Sequence, residues 1–329
     1  MKKQIAFVTG GLSGESVISY ESAKTIEANV DQDLFDLYRI DIRHDGWFYN
    51  PNPDSFLPVD KNDFSITHDG RKVTFDAVLC GIHGTPGEDG KLQGYFDLLG
   101  LPYTACSVAS SSITFNKRYT VAVAAFSGIP VAKSLHFFKE DQLDIEDILS
   151  QLTLPVFVKP NNGGSSIGMS KVSNASTLAD AIQKAFKEDA QILIEEFISG
   201  TELTIGVYKR NHDIITLPIT EIRSKKDFFD YEAKYTTGMA EEITPAPVAE
   251  DIAALIRTQA AKLYHIFDCK GVVRIDFIYD TESKKAFMLE INTVPGQSAN
   301  SIVPQQVRAS GDSLKSFYTA LILSCLPNQ

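Results

Sequence analysis

The chain has 329 residues, 43% of them hydrophobic and 22% charged, which is enough apolar material for more than one core. A formal net charge of −11 argues against a nucleic-acid or anionic-membrane partner, while a local basic cleft for phosphates stays open. Cys80, Cys106, Cys269 and Cys325 form no CxxC pair, so a cysteine metal cluster or disulfide framework is not expected, and a reducing cytoplasm fits. The apolar run after Met1 stops at Gly10, too soon for a signal sequence, and no stretch approaches a membrane span.

Ile5 to Val8 predicts a short buried strand, followed by the turn Gly10-Gly11-Leu12-Ser13-Gly14-Glu15-Ser16 and a helix to about Ala28. The spacing is G-G-x-x-G and not G-x-G-x-x-G, so a nicotinamide site is discounted. Glu15, at the helix entrance, either compensates the helix dipole or meets a small ligand carrying positive charge. Strands at Leu34 to Ile40 and Phe75 to Ile82, alternating with helical stretches, predict an open α/β unit. The second of them ends in His83-Gly84-Thr85-Pro86-Gly87-Glu88-Asp89-Gly90, a loop at the sheet edge where ligands of such folds bind. His83 taken alone is more often structural than catalytic. A helix from Lys91 to Leu99 stops at Gly100.

Small residues dominate from Ser107, and a helical stretch carrying Asn116-Lys117 runs to Gly128-Ile129-Pro130, which sets a first boundary near Cys106. Strands Pro155 to Pro160 and Met169 to Val172 are joined by Asn161-Asn162-Gly163-Gly164-Ser165-Ser166-Ile167-Gly168. That loop lacks the GK[ST] that opens a helix, so it is not a P-loop. It is either a flexible turn or a glycine flap over phosphates with a strand-borne lysine, Lys159, beside it. A strand from Gln191 to Ser199 carries Glu195 and Glu196, and Gly200-Thr201-Glu202 reads as a turn at an interdomain crossing. The segment Arg223 to Pro247 has no hydrophobic period, yet Phe228-Phe229-Asp230-Tyr231 is too aromatic for disorder, which predicts a lid. Helices are expected at Glu250 to Phe267 and Asp312 to Leu326.

Between them lies a hairpin, Gly271 to Asp280 and Ala286 to Asn292. Alternation sends Val273, Ile275, Phe277 and Tyr279 to one face and Arg274 and Asp276 to the other. On the second strand Phe287, Leu289 and Ile291 form the apolar set, so Glu290 and Asn292 share the face of Asp276. A solvated face is the plain alternative. The oxygen donors are those that hard Mg²⁺ prefers, and the strand runs into Thr293-Val294-Pro295-Gly296, whose backbone N–H groups can meet an anion. The hairpin therefore reads as a Mg²⁺-phosphate platform.

These glycine turns, the loop from His83, Lys159 with its flap, Tyr231-Glu232-Ala233-Lys234-Tyr235, Arg274-Ile275-Asp276 and Glu290 through Gly296 together resemble the D-alanine–D-alanine ligases of the ATP-grasp superfamily. The resemblance covers nearly the whole chain, and it is the joint order of the motifs that is specific. It implies an α/β fold, α+β in its C-terminal part, in three domains. Residues 1–106 would form an N-terminal open parallel sheet that binds substrate. Residues 107–199 would carry the flap, and residues 200–329 the metal site and lid, with ATP between the last two sheets.

Residue by residue, the resemblance implies that Asp276, Glu290 and Asn292 hold two Mg²⁺ ions, or Mn²⁺ in their place. Lys117 and Lys159 would bind the phosphates, Glu195 the adenine and Glu202 the ribose, with backbone of Glu196 and Ile198 at the hinge. Ser166 and Lys234 would join this ATP-binding set. Glu15 would take the first D-alanine's ammonium, His83 would lie near its carboxylate, and Ser301 would receive the second D-alanine's carboxylate. Arg274 and the N–H of Gly296 would form an oxyanion hole, and Ser165 and Tyr235 would link flap, lid and Glu15. Tyr235, a neutral phenol, would favour a dipeptide over an ester with D-lactate. Asn116 departs from the Asp common in relatives and reads as a supporting residue. Also implied are a homodimer and a cytoplasmic enzyme without nucleic-acid or membrane partners. The alternatives are a D-lactate or D-serine ligase and a non-catalytic nucleotide sensor.

Overall fold

The structure, a computed structural model, describes residues 2–52, 55–164, 167–224 and 240–327. Strand β1 (Lys3–Gly10) is buried from Ile5 onward because it lies inside its sheet, parallel to β2 (Phe35–Arg43) on one side. The chain then runs through four antiparallel strands, β3 (Gly46–Asn52), β4 (Ser55–Asp60), β5 (Ser65–His68) and β6 (Arg71–Val73). Strand β7 (Ala77–Cys80) returns parallel to β1 and completes a seven-stranded sheet of order β6-β5-β4-β3-β2-β1-β7. The expected helix between the strands near 40 and 75 is therefore this meander. Its β5–β6 turn uses Asp69 and Gly70, both at positive φ (50° and 73°), as a tight hairpin requires.

The second sheet is antiparallel, with order β10-β9-β11-β8 from β8 (Ser134–Phe138), β9 (Val156–Pro160), β10 (Ser170–Val172) and β11 (Gln191–Glu196). Helices Ile145–Gln151 and Leu178–Glu188 cover one face of it through Ile148, Leu178, Ile182 and Ala185. The third sheet runs β15-β14-β12-β16-β17 with β13 paired to β12. Its strands are β12 (Thr201–Arg210), β13 (Asp213–Thr216), β14 (Thr220–Ser224), β15 (Ala240–Ile243), β16 (Val272–Asp280) and β17 (Lys285–Asn292). Helix Glu250–Ile266 buries Ile256, Ala260, Leu263 and Tyr264 against Leu203, Ile205, Val273 and Phe277, each large apolar side chain contributing roughly 1.5–3 kcal/mol. Helix Leu314–Cys325 places Phe317, Tyr318 and Leu321 in a core shared with Ile5, Phe7, Tyr208 and Val272, so the first and third sheets are packed through one apolar body.

Several boundaries differ from the sequence reading. Thr201 and Glu202 belong to β12 and not to a turn. The long unpatterned segment begins and ends as paired strands, β14 and β15, and residues 225–239 of the expected lid lie outside the described residues. The helical stretch through Asn116 is two helices, Val108–Phe115 and Lys117–Phe126. Asn116 sits between them in extended backbone, and its side chain accepts the N–H of Tyr119 at 3.2 Å as the cap of the second. On β17 the apolar phase also changes. A bulge between Asp276 and Phe277 sets Glu290 opposite Asp276 but Met288 opposite Phe277, leaving Leu289 as the extra residue. Ala286, Met288 and Ile291 consequently face the core, and Phe287 and Leu289 do not.

Candidate active site

One cavity of about 1130 Å³ opens between the second and third sheets and reaches the first sheet's edge. It is lined by Glu15, His83, Lys117, Lys159, Glu195, Glu196, Ile198, Glu202, Arg274, Asp276, Glu290, Asn292, Gly296 and Ser301. Chain order separates these residues by up to most of the sequence, so their meeting is a product of the fold. Ser165, Ser166, Lys234 and Tyr235 lie outside the described residues.

The third sheet supplies the densest polar cluster. Arg274 and Asp276, two apart on β16, project to the same face, and the guanidinium grips the carboxylate twice, Nε to Oδ1 at 2.9 Å and Nη2 to Oδ2 at 2.8 Å. Thr204 on β12 donates to Oδ1 from one side, and Asn292 Nδ2 on β17 donates to Oδ2 at 3.2 Å from the other. Asp276 is 6% exposed. Burial pulls the Arg274 pKa down, but Asp276, Glu290 and Glu242 outweigh it and hold the guanidinium above its ordinary value. The register pairs Glu290 with Asp276 and so puts it on this face, ahead of the bulge. Among the described residues no three of His, Cys, Asp or Glu cluster as a metal site, so the set on offer is two carboxylates and the Asn292 amide oxygen. Those are hard oxygen donors on adjacent strands, and they fit Mg²⁺ and not a thiolate-seeking metal.

Facing them, Lys159 on β9 pairs with Glu195 on the neighbouring β11, and its ammonium lies 5.4 Å from the Phe157 ring centroid. Lys117 begins the helix that Asn116 caps, and its Nζ donates to the Gly163 carbonyl at 2.7 Å, at the root of the flap. Asn162 fastens the same root by giving its backbone N–H and its Nδ2 to Asp189 (2.7 and 2.9 Å). The Glu196 N–H is taken by the Lys133 carbonyl at 2.9 Å, so a hinge contact there would use its carbonyl.

At the first sheet's edge Glu15 stands at the helix entrance without capping it. Its carboxylate instead lies between two glycine loops: a Cβ on Gly84 would come within 2.4 Å of Oε2, and one on Gly164 within 2.8 Å of Oε1. His83 is 5% exposed and has both ring nitrogens engaged, Nδ1 with the Val294 carbonyl (2.7 Å) and Nε2 with Ser22 Oγ (2.9 Å). Burial depresses its pKa to about 4, so the ring is neutral. A substrate carboxylate could reach a ring nitrogen only by displacing one of these partners. Gly296 abuts Ser301, whose Oγ lies 2.9 Å from the place a Cβ would occupy.

Sequence reasoning passed over Glu88 as a separate actor, although it stood within the His83 motif. Its oxygens accept the N–H groups of Gly84 (2.7 Å) and Val294 (3.1 Å). Burial, with Glu15 nearby, pushes its pKa up to about 8. Ser22 and Thr204 carried no motif at all; a lone buried hydroxyl leaves no mark in a sequence.

Among known proteins, residues 4–106 match the family model described as D-ala D-ala ligase N-terminus, and residues 123–323 match D-ala D-ala ligase C-terminus. A D-alanine--D-alanine ligase of Azobacteroides pseudotrichonymphae is 46% identical over 98% of this chain and 99% of its own length. One from Parabacteroides distasonis is 43% identical over 100% and 99%. Among solved structures, the VanG D-Ala:D-Ser ligase from Enterococcus faecalis superposes with a TM-score of 0.88 at 29% identity, covering 98% of this chain and 99% of its own. D-alanyl-alanine synthetase A from Vibrio cholerae gives 0.88 at 27% identity, with 99% of each chain covered. With both halves matched in order and relatives aligned from end to end, the chain belongs to the D-alanine–D-alanine ligase family of ATP-dependent ligases.

Proposed function

We propose that this protein condenses two D-alanines to D-alanyl-D-alanine, spending ATP and passing through an acyl phosphate. The observation that supports the reading most is a single cavity in which the braced Arg274–Asp276 pair and Gly296 face Lys159 of the second sheet and Lys117 at its helix start. A carboxylate is a poor acyl donor, so the first D-alanine is phosphorylated before the second one's free amine attacks. In this reading Lys117 and Lys159 bind the phosphates, with Lys159 exchanging Glu195 for them. Glu195, Glu202 and the backbone of Glu196 and Ile198 bind the nucleoside. Asp276, Glu290 and Asn292 would hold Mg²⁺, which when bound neutralises phosphate charge.

Glu15 holds the first ammonium, and Ser301 receives the second carboxylate. Arg274 and the Gly296 N–H stabilise the oxyanion of the tetrahedral intermediate. Ser165, Ser166, Lys234 and Tyr235 complete the flap and lid, which exclude water that would hydrolyse the acyl phosphate. The enzyme is read as a cytoplasmic homodimer supplying peptidoglycan precursors; among the described residues no helix is long and apolar enough to cross a membrane.

The test is ADP release with Mg²⁺ and D-alanine as sole amino acid, followed by separation of products in the presence of excess D-lactate or D-serine. Dipeptide is expected throughout. A predominance of ester or D-alanyl-D-serine would overturn the substrate assignment, and no ADP release would overturn the ligase reading.

A further inference from the structure

Residues 293–297 leave β17 carrying Gly296, and polar groups from the first sheet's side grip them on both flanks. On one flank Ser22 Oγ accepts the Gln297 N–H at 3.0 Å and lies 2.9 Å from His83 Nε2, while His83 Nδ1 lies 2.7 Å from the Val294 carbonyl. One proton arrangement satisfies all three bonds: Nδ1–H donates to Val294, and the Ser22 hydroxyl donates to the bare Nε2 while its lone pair takes Gln297. The neutral ring agrees with it. On the other flank Glu88 accepts the Val294 N–H at 3.1 Å and anchors itself on the Gly84 N–H.

Ser22 is 0% exposed and does not line the cavity, so it is no substrate ligand. It shares its helix with Ala23 and Ile26, which pack into the core, and packing alone would be served by alanine there. Its hydroxyl is explained by the loop it holds. Glu88 in turn belongs to the loop whose Gly84 presses on Glu15. The proposed holder of the ammonium and the proposed oxyanion donor thus hang on one frame.

We infer that Ser22, His83 and Glu88 are positioning residues that clamp Val294–Gln297 and thereby aim the Gly296 N–H at the reacting carbonyl beside Arg274. The inference rests on the reading of Gly296 and Arg274 as the oxyanion donors. It assigns His83 to the clamp and not to the substrate carboxylate.

The experiment compares wild-type enzyme with Ser22→Ala and Glu88→Gln. Alanine deletes one hydroxyl, and glutamine cannot accept two N–H groups because one of its termini is itself a donor. A misaimed donor slows attack on the acyl phosphate but not its formation. Turnover to dipeptide should fall ~10- to 100-fold, with KM for ATP within about twofold, and ADP released per dipeptide should rise above parity as stalled acyl phosphate hydrolyses. A merely structural role would lower the melting temperature and leave that ratio at parity. Turnover of Ser22→Ala close to wild type, or a loss with the ratio unchanged, overturns the clamp; if Ser22→Ala does not fold, Glu88→Gln is judged by the same two readouts. Wild-type enzyme that makes no dipeptide would sink the underlying ligase reading instead.

Discussion

The two sheets that face each other across the cavity hold their charges differently. On the third sheet Arg274 and Asp276 are bonded twice to each other and braced by Thr204 and Asn292 from strands on either side. On the second sheet Lys159 and Glu195 meet in one ion pair across β9 and β11. The loops that follow differ in the same sense. Val294–Gln297 is gripped along its length, whereas the described part of the glycine flap is fastened at its root by Asp189 and Lys117. A group that must stabilise a transition state gains from being held before the reaction, because no reorganisation is then needed. A lysine that must receive a phosphate gains from a partner it can exchange. Damage to the third sheet should therefore appear in turnover, and damage to the second in KM for ATP.

The sharpest way to break this division is Arg274→Met, which keeps bulk and removes the guanidinium. Loss of an oxyanion donor should reduce turnover about 10²- to 10³-fold. Because it also strands the enclosed Asp276 carboxylate, stability should drop by roughly 3 kcal/mol in urea denaturation. A variant with normal turnover and a low melting point would make the pair structural.

Glu290→Gln comes next. It keeps the shape and removes one negative charge from the face that would meet Mg²⁺ and a triphosphate. Turnover should fall by about two orders of magnitude at saturating Mg²⁺ while the melting curve barely moves. Near-normal turnover would return Glu290 to an ordinary wet face. On the opposite sheet, Lys159→Met should raise KM for ATP ~10- to 100-fold, the loss expected of one charge-assisted hydrogen bond, with turnover at saturation changed less. If turnover fell instead and KM stayed, the two sheets would not divide the work as argued.

Much of this was readable before the fold was known, for physical reasons that vary by region. Strand alternation on β16 is uninterrupted, so the core set Val273, Ile275, Phe277 and Tyr279 and the polar pair Arg274 and Asp276 follow from period two alone. On β17 the same rule gave Glu290 and Asn292 correctly but misassigned Phe287 and Leu289, because a bulge shifts the phase by one residue and leaves no signature in hydrophobicity. The meander from Gly46 to Val73 was missed although Asp69-Gly70 marked one of its turns; its strands are short and half-exposed, which weakens alternation. The cavity as a meeting place of Glu15, Lys159 and Arg274 could not come from spacing, and the sequence supported it only through resemblance. Ser22 shows the limit most clearly, since its role exists only in the contacts around it.

Asn116 offers the smallest and most discriminating test of the second sheet's side. Its side chain caps the helix that starts with Lys117 by accepting the Tyr119 N–H. Asn and Asp cap about equally well, while alanine cannot accept that bond. Asn116→Asp should therefore leave stability and kinetics unchanged, and Asn116→Ala should cost about 1 kcal/mol, measured as a shift in the urea midpoint. KM for ATP should stay within about twofold in both, because Lys117 is also fixed through its backbone, its N–H donating to the Asn161 carbonyl at 3.0 Å with the next N–H taken by Asn161 Oδ1 at 2.9 Å. A rise in KM for ATP in Asn116→Ala at unchanged stability would show that Asn116 acts on the nucleotide and not on the helix. The second sheet's side would then be as tightly organised around its ligand as the third.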